Sequence, residues 1–311
     1  MSPDHINGIK LFADTANPTH IDDCFKKSIG DGITTNPKIM EASGGLSKDF
    51  TFEIASKALL MKYPDVPVSI ETHLDGVDAQ YVHDHPDEVR NYLLKQAREI
   101  ASWGDNVVVK IPICQGGLEA TAILAEEGIK TNVTACMSPY QAIEAAKANA
   151  TYASLFANRM LDSRVLEFAG YVLAETLKRE DWKSLRDKAL QEQEGLLEKA
   201  WDRVLRDISF VANEFRLDNY KTELIVGSIR SPKDIQRLAD AAPQIITIPY
   251  NIAIQLTNIG DLKSTNSFST PPVARSTDWP NGSIKHPMTN LTLEEFEQAA
   301  NCYRKPKGRL V

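Results

Sequence analysis

The chain has 311 residues, of which 42% are hydrophobic and 25% charged, and its formal net charge is −7 at pH 7. This is ordinary globular composition, and the negative charge argues against general binding to nucleic acid. The longest apolar runs are the size of a strand, well short of the roughly 20 residues that a membrane helix needs.

Targeting and redox features point to the cytoplasm. The N-terminus lacks the basic segment and the apolar segment of a secretory signal, and the four cysteines are scattered without a CxxC pair. We therefore expect a cytoplasmic protein with reduced thiols. The histidines are also scattered and form no HExxH motif, so neither a metal nor a cofactor is expected.

Short β-branched runs alternate with amphipathic stretches along the chain. The predicted strands are Ile9–Asp14, Gly32–Asn36, Val66–Thr72, Asn106–Pro112, Ile129–Ala135, Tyr152–Asn158, Thr222–Ile229 and Ile245–Pro249. The predicted helices include Pro18–Ile29, Asp87–Trp103, Gly117–Glu126, Pro139–Ala148 and Pro232–Ala241. Eight strands, each followed by a helix, predict an α/β fold, a single (β/α)8 TIM barrel over residues 1–311. An open doubly wound sheet is the alternative, although no GxGxxG motif follows the first strand.

Two segments exceed this minimal plan. The segment at about 162–215 is predicted to be a helical insertion that packs outside the barrel; a coiled-coil partner surface is less favoured, because Gly195 interrupts the pattern. The segment at about 260–311 is predicted to be a loop, over Gly260–Lys285, followed by a C-terminal helix. Thr292 and Glu295 in that helix have the spacing of a capping box.

Lys110 lies within an apolar run, Asn106–Pro112. Burial disfavours the charged form of a lysine, and a neutral amine is a nucleophile that forms Schiff bases with carbonyl substrates. A lysine on an edge strand that reaches solvent is the alternative, and the run by itself does not separate the two.

Most of the predicted strands end with polar residues. Within each strand these residues have the same parity as the residues that face the barrel interior. They are Asp14, Thr34 with Asn36, Ser69 with Glu71, Lys110, Asn132 with Thr134, Ser154 with Phe156 and Asn158, and Ser228 with Arg230 on the side of Val226. Barrel enzymes place their chemistry at the carboxyl ends of the strands. The convergence therefore favours one site over separate turn and capping roles.

A barrel lysine with two nearby carboxylates suits class I aldol chemistry. Lys110 would attack a ketone, and Asp14 and Glu71 would divide the proton transfers, with Thr134 holding a catalytic water. Ser228 and Arg230 lie just ahead of a helix start and Arg159 follows the sixth strand, which together predict a phosphate site. A ketose phosphate fits both features, because its carbonyl would react with Lys110 and its phosphate would bind Arg159, Ser228 and Arg230.

These residues stand in motifs that resemble the transaldolase and fructose-6-phosphate aldolase family. The motifs are LFADTAN at 11–17, GITTNPKIM at 32–40, VSIET at 68–72, VVVKIP at 107–112, GIKTNVTACMS at 128–138, SLFANRM at 154–160, GSIRSP at 227–232 and HPMTNLTLEEF at 286–296. The resemblance implies a Schiff base at Lys110, with Asp14 as the base for cleavage and Glu71 and Thr134 binding the dehydration water. The residues expected to bind substrate are Thr34, Asn36, Asn132, Ser154, Phe156, Arg159, Ser228 and Arg230.

The implied reaction transfers a dihydroxyacetone unit from sedoheptulose 7-phosphate to glyceraldehyde 3-phosphate, in the pentose phosphate pathway. Glu71 and Phe156 favour the transaldolase branch, because the aldolases have glutamine and tyrosine at these positions. An aldolase that releases free dihydroxyacetone and a non-catalytic sugar-phosphate-binding barrel stay open as alternatives. The expected partners are small sugar phosphates, with neither nucleic acid nor membrane, and the sequence leaves a homo-oligomer open.

Overall fold

Eight parallel strands close into one barrel, in the order in which they occur in the chain. The computed structural model describes residues 8–43, 51–256 and 283–301. The strands are Lys10–Asp14 (β1), Gly32–Thr34 (β2), Val68–Glu71 (β3), Val107–Pro112 (β4), Thr131–Cys136 (β5), Tyr152–Phe156 (β6), Glu223–Gly227 (β7) and Ile245–Pro249 (β8). β8 pairs in parallel with β1, which closes the sheet and excludes the open doubly wound alternative. The predicted (β/α)8 barrel is confirmed.

Helices follow the strands around the outside of the barrel. They are Pro18–Lys26 (α1), Pro37–Ala42 (α2), Phe52–Lys62 (α3), Ala79–Asp84 (α4), Pro86–Ala101 (α5), Gln115–Glu126 (α6), Pro139–Lys147 (α7), Ala157–Phe168 (α8), Leu173–Thr176 (α9), Trp182–Glu192 (α10), Leu196–Leu217 (α11), Pro232–Asp240 (α12), Tyr250–Ala253 (α13) and Pro287–Ala300 (α14). Ser231 caps α12 in a capping box with Asp234, and proline takes the first position of this helix.

The segment at about 162–215 holds more than the single extra helix that its pattern predicts. It contains most of α8, all of α9 and α10, and nearly all of α11, which ends at Leu217. Gly195 separates α10 from α11 with a φ of +75°, a left-handed conformation that glycine adopts without steric cost. α11 packs against α7 and α8. The other segment, Gly260–Lys285, lies almost entirely in 257–282, outside the described residues.

The predicted capping box of Thr292 and Glu295 is wrong. α14 begins five residues before Thr292, at Pro287, and its N-cap is His286. Proline is favoured at the first helical position, which fixes this earlier start. Thr292 is therefore inside the helix, where its hydroxyl donates to the carbonyl of Met288 at 2.7 Å. Within the described ranges, no helix is both long and apolar enough to cross a membrane.

A layer of apolar side chains fills the inside of the barrel. Its members are Phe12, Val108, Tyr152, Ile225 and Ile245. Two residues further along the same strands are Asp14, Lys110, Ser154, Gly227 and Thr247. Strand side chains alternate between faces, so these residues point inward from the next layer, at the carboxyl ends of the strands. The apolar layer thus forms the floor of a polar mouth.

Candidate active site

Lys110 is buried at the mouth of the barrel. It is 4% exposed, and its Nζ donates to the carbonyl oxygen of Thr35 at 2.8 Å. Glu71 is its register partner on the neighbouring strand, and Oε2 of Glu71 lies 3.0 Å from Nζ in an ion pair. Because β4 lies inside a closed barrel, the alternative of an edge-strand lysine that reaches solvent is excluded.

Asp14 ends β1 and contacts the neighbouring strand β2. Its Oδ1 accepts a hydrogen bond of 2.6 Å from the hydroxyl of Thr34, which also contacts the hydroxyl of Thr247. Burial raises the pKa of the Asp14 carboxyl, and the Thr34 hydrogen bond and the charge of Lys110 oppose this shift only in part. A carboxyl with a raised pKa can hold and return a proton near neutral pH.

Glu71 is a second carboxyl with a raised pKa. Burial is again the largest cause, and the positive charge of Lys110 opposes it. The two carboxyls differ in position: Asp14 lines an open cavity, whereas Glu71 is buried against Lys110 and does not line that cavity. Two acids in different environments can take different proton transfers.

Asn132 belongs to a buried chain of hydrogen bonds across three strands. The Ser154 hydroxyl donates to Asn132 Oδ1 at 2.7 Å, and Asn132 Nδ2 lies 3.2 Å from the hydroxyl oxygen of Ser69. Thr134 lies further along β5, where Ala135 has a φ of +61° and the strand register shifts. The Thr134 hydroxyl is buried and has no hydrogen-bond partner among the described residues. Buried hydroxyls ordinarily have a partner, so this one is a candidate to bind water or substrate.

One cavity of about 170 Å³ opens above Lys110. It is lined by Asp14, Thr34, Asn36, Lys110, Ser154, Phe156, Arg159, Ile225, Gly227, Ser228, Thr247, Thr292 and Phe296. Asn36 also caps α2, since its Oδ1 accepts from the Ile39 amide at 2.9 Å. The structure thus brings eight of the predicted residues to one cavity, from Asp14 to Ser228. Glu71, Asn132 and Thr134 are buried beside it.

The inward face predicted for β7 is wrong. The prediction put Val226, Ser228 and Arg230 on one inward face, but Ile225 and Gly227 face the cavity and Val226 packs in the core outside it. β7 ends at Gly227, and Ser228 follows with a φ of +62°, so strand alternation does not extend to it. This turn nevertheless brings Ser228 to the cavity wall.

The two predicted phosphate-binding arginines lie in different settings. Arg159, in the first turn of α8, lines the cavity, and its guanidinium pairs with Glu295 of α14. Arg230 does not line the cavity. It forms two hydrogen bonds, of 2.9 and 2.6 Å, with the carboxylate of Asp162. Asn158, predicted to end the sixth strand, lies in α8 and donates to the Ser228 carbonyl at 2.7 Å.

Five residues of the cavity lining were not predicted: Ile225 and Gly227 of β7, and Thr247, Thr292 and Phe296. Thr247 follows Ile245 with the same inward parity on β8, so the alternation used for the other strands would have found it. Thr292 and Phe296 are four residues apart on α14, which places them on one face of the helix. Nothing local to the sequence says that this face meets the barrel mouth.

A metal site is not apparent in the described part of the chain. Over residues 8–43, 51–256 and 283–301, no three His, Cys, Asp or Glu side chains are grouped so that they could hold a metal ion. The expectation that the chemistry needs no cofactor stays a prediction.

Comparison with known proteins identifies the family of this chain. The family model described as transaldolase/fructose-6-phosphate aldolase matches residues 11–301. A probable transaldolase of Clostridium botulinum (strain Langeland) is 30% identical over 257 residues, which cover 81% of this chain and 93% of the relative. A probable transaldolase of Clostridium acetobutylicum is 31% identical over 288 residues, covering 93% and 95%. The chain therefore belongs to the transaldolase/fructose-6-phosphate aldolase family.

Proposed function

We propose that this protein is a transaldolase. It transfers a dihydroxyacetone unit from sedoheptulose 7-phosphate to glyceraldehyde 3-phosphate in the pentose phosphate pathway, through a Schiff base on Lys110. The observation that carries the proposal is the buried amine of Lys110, paired with Glu71 and sharing a cavity with Asp14. Among the described residues that line this cavity, Lys110 alone has a side-chain amine.

Lys110 is the nucleophile of the first step. Its ammonium loses a proton to Glu71, 3.0 Å away, and the neutral amine attacks the ketone carbon. A carbon–nitrogen bond forms and the carbonyl oxygen becomes a hydroxyl. Glu71 then returns the proton as this hydroxyl leaves as water, which gives the iminium. The buried hydroxyl of Thr134 supports its role in holding that water.

Asp14 is the base of the second step. It takes the proton from the hydroxyl on the carbon that is released, which becomes the aldehyde carbon of the leaving aldose phosphate. The electron pair of the carbon–carbon bond that breaks moves to the iminium, an aldose phosphate leaves, and an enamine remains on Lys110. The Thr34 hydroxyl, 2.6 Å from Oδ1, orients Asp14 for this transfer. The acceptor aldehyde then enters and the same steps run in reverse.

The far end of the cavity is proposed to hold the phosphate. Arg159 supplies a guanidinium at the wall, and Ser228 lies beside the turn that leads into α12. Arg230 is two residues beyond Ser228 in the same turn, and it stays part of this proposed phosphate site although its guanidinium pairs with Asp162 and does not line the cavity. Asn36, Asn132 and Ser154 contact the hydroxyls of the ketose head.

Two residues favour transfer over release of dihydroxyacetone. An aldolase must protonate the enamine and let it go, whereas a transaldolase must keep it until an aldehyde arrives. The cavity wall at Phe156 supplies no hydroxyl that could donate this proton. Glu71 is a carboxyl that can exchange a proton with Lys110, which a glutamine could not do.

The test is borohydride trapping followed by mass spectrometry. Incubation with fructose 6-phosphate and borohydride should leave a reduced adduct on Lys110, and Lys110→Ala should lose both the adduct and activity. Full activity of Lys110→Ala would refute the mechanism. Release of free dihydroxyacetone without an acceptor, as fast as transfer, would identify an aldolase. Binding without any adduct would identify a non-catalytic sugar-phosphate barrel.

A further inference from the structure

Helix α14 contributes a charged residue that faces away from the cavity. Thr292 and Phe296 of this helix line the cavity, and Glu295 lies between them in sequence but is not part of the lining. The Glu295 carboxylate pairs with Nη2 of Arg159, and its other oxygen lies 3.5 Å from Nη1. Lys38 of α2 approaches the same carboxylate at 2.5 Å. One carboxylate thus joins two cations from separate helices.

We propose that Glu295 is a positioning residue for the phosphate end of the site, which holds the Arg159 guanidinium at the cavity wall before substrate arrives. The inference rests on the proposed function, since it assumes that Arg159 binds the substrate's phosphate. Arg159 lines the cavity and Glu295 does not, so the carboxylate lies behind the guanidinium rather than in the phosphate's place.

The setting favours a firm contact. The Arg159 and Glu295 side chains are 16% and 18% exposed, so solvent screens their attraction less than at the surface. Burial raises the pKa of Glu295, but the hydrogen bonds from Arg159 and Lys38 outweigh burial and leave the pKa below its ordinary value. The carboxylate is therefore ionised at neutral pH and its two oxygens accept from both cations.

Fixing Arg159 in advance lowers the cost of binding. An unrestrained arginine side chain loses rotamer freedom when it binds an anion, and that loss weakens affinity. Glu295 also leaves charge for the ligand, because Arg159 and Lys38 carry two positive charges against its single negative one. A guanidinium has five N–H donors, so the contact with Glu295 leaves others to face a phosphate.

Glutamine cannot replace this carboxylate. It has one acceptor oxygen where the structure uses two. Its amide N–H groups would face either Nη1 of Arg159 or, in the flipped orientation, both Nη2 of Arg159 and Lys38. Glu295→Gln therefore keeps the shape of the side chain and removes the restraint on Arg159. Glu294→Gln is the matched control, because Glu294 is the adjacent residue on α14 and is exposed.

The experiment uses inorganic phosphate as the probe, measured as a competitive inhibitor against fructose 6-phosphate. For Glu295→Gln we expect the inhibition constant of phosphate and the KM of fructose 6-phosphate each to rise about tenfold, with kcat within about twofold. Trapping of unphosphorylated fructose at Lys110 by borohydride should be unchanged, and Glu294→Gln should match the wild type in all three readouts.

Opposite results would overturn the inference. A lower inhibition constant would mean that Glu295 competes with phosphate for Arg159, and no change would mean that it does not act on the site. Lys38→Gln should change the inhibition constant much less than Glu295→Gln; an equal effect would assign the phosphate to Lys38 instead. If Glu295→Gln does not fold, Glu295→Asp replaces it and should raise the KM of fructose 6-phosphate by a smaller factor. An unchanged KM in Glu295→Asp would count against the positioning role of Glu295. Failure of the wild type to form any adduct would refute the proposed function rather than the role of Glu295.

Discussion

Glu71 and Lys110 are register partners on β3 and β4, and their ion pair of 3.0 Å is set by the pairing of the two strands. Both side chains point into the barrel, where water does not reach them freely. A buried pair of this kind contributes little to stability by itself, because desolvation offsets the attraction. In the proposed mechanism its use is chemical, because the pairing of the two strands places a carboxyl next to the amine.

Replacing Glu71 by glutamine should slow Schiff-base formation. We expect Glu71→Gln to reduce kcat by roughly 100-fold or more, the usual contribution of a general acid–base group, and to slow the appearance of the borohydride adduct. Stopped-flow assays and timed trapping measure the two effects. Glu223→Gln is the control, since Glu223 pairs with Lys10 at the other end of the barrel. A normal trapping rate in Glu71→Gln would move the dehydration role to another residue.

Asp14→Asn should separate Schiff-base formation from bond cleavage. The amide cannot take the hydroxyl proton, so we expect kcat to fall by roughly 10²- to 10⁴-fold while the adduct with fructose 6-phosphate still forms. Quantifying the adduct by mass spectrometry and the released aldose phosphate by a coupled assay tests both parts. If the adduct is lost together with turnover, Asp14 acts before cleavage and its proposed role is wrong.

Asp162 should be important for the stability of the fold. Its side chain is 2% exposed and forms ion pairs with the guanidiniums of Arg230 and of Arg186, which lies in α10. Asp162→Asn leaves both guanidiniums without this carboxylate, so we expect the free energy of unfolding to fall by about 3 kcal/mol. Urea denaturation measures this loss. Asp187→Asn, which removes an exposed partner of Arg186, should change the unfolding free energy by less than about 1 kcal/mol.

His286 should make stability depend on pH. Its Nδ1 accepts from the amide of Met288 at the start of α14, and burial, with the charge of Arg164, lowers its pKa to about 4. In the unfolded chain His286 binds a proton near pH 6.5, whereas in the folded protein it does so only near pH 4. The contribution of neutral His286 to the free energy of unfolding is therefore complete above pH 6.5 and is lost as the pH falls towards 4. We expect a loss on the order of 2 kcal/mol over that range, measured by urea denaturation at several pH values.

His286→Asn is the matched variant for this prediction. Asparagine keeps a side-chain oxygen that can cap α14 but does not titrate, so the slope between pH 6.5 and 4 should largely disappear. A slope that persists in His286→Asn would show that other groups cause it. The buried carboxyls of Asp14 and Glu71 are not among them, because their raised pKa values add stability as the pH falls. The comparison also tests how the N-cap of α14 affects the cavity, because this helix carries Thr292 and Phe296 of the cavity wall.

Much of the site could be predicted from strand alternation. Asp14, Lys110 and Ser154 each lie two residues beyond an inward apolar residue, and the period of a strand is a local property. The same rule failed at Ser228, because the strand ends one residue earlier and the backbone turns into a left-handed conformation. It was not applied to β8, and Thr247 was missed for that reason.

The sequence by itself determined the barrel, the inward lysine and the carboxyls that accompany it, because hydrophobic periodicity and strand parity act over a few residues. Only the tertiary structure decided that Glu295 pairs with Arg159 and that Asp162 pairs with Arg230. These partners are 136 and 68 residues apart in the chain. Such contacts depend on how α8, α14 and the turn before α12 pack together, and no local pattern encodes that packing.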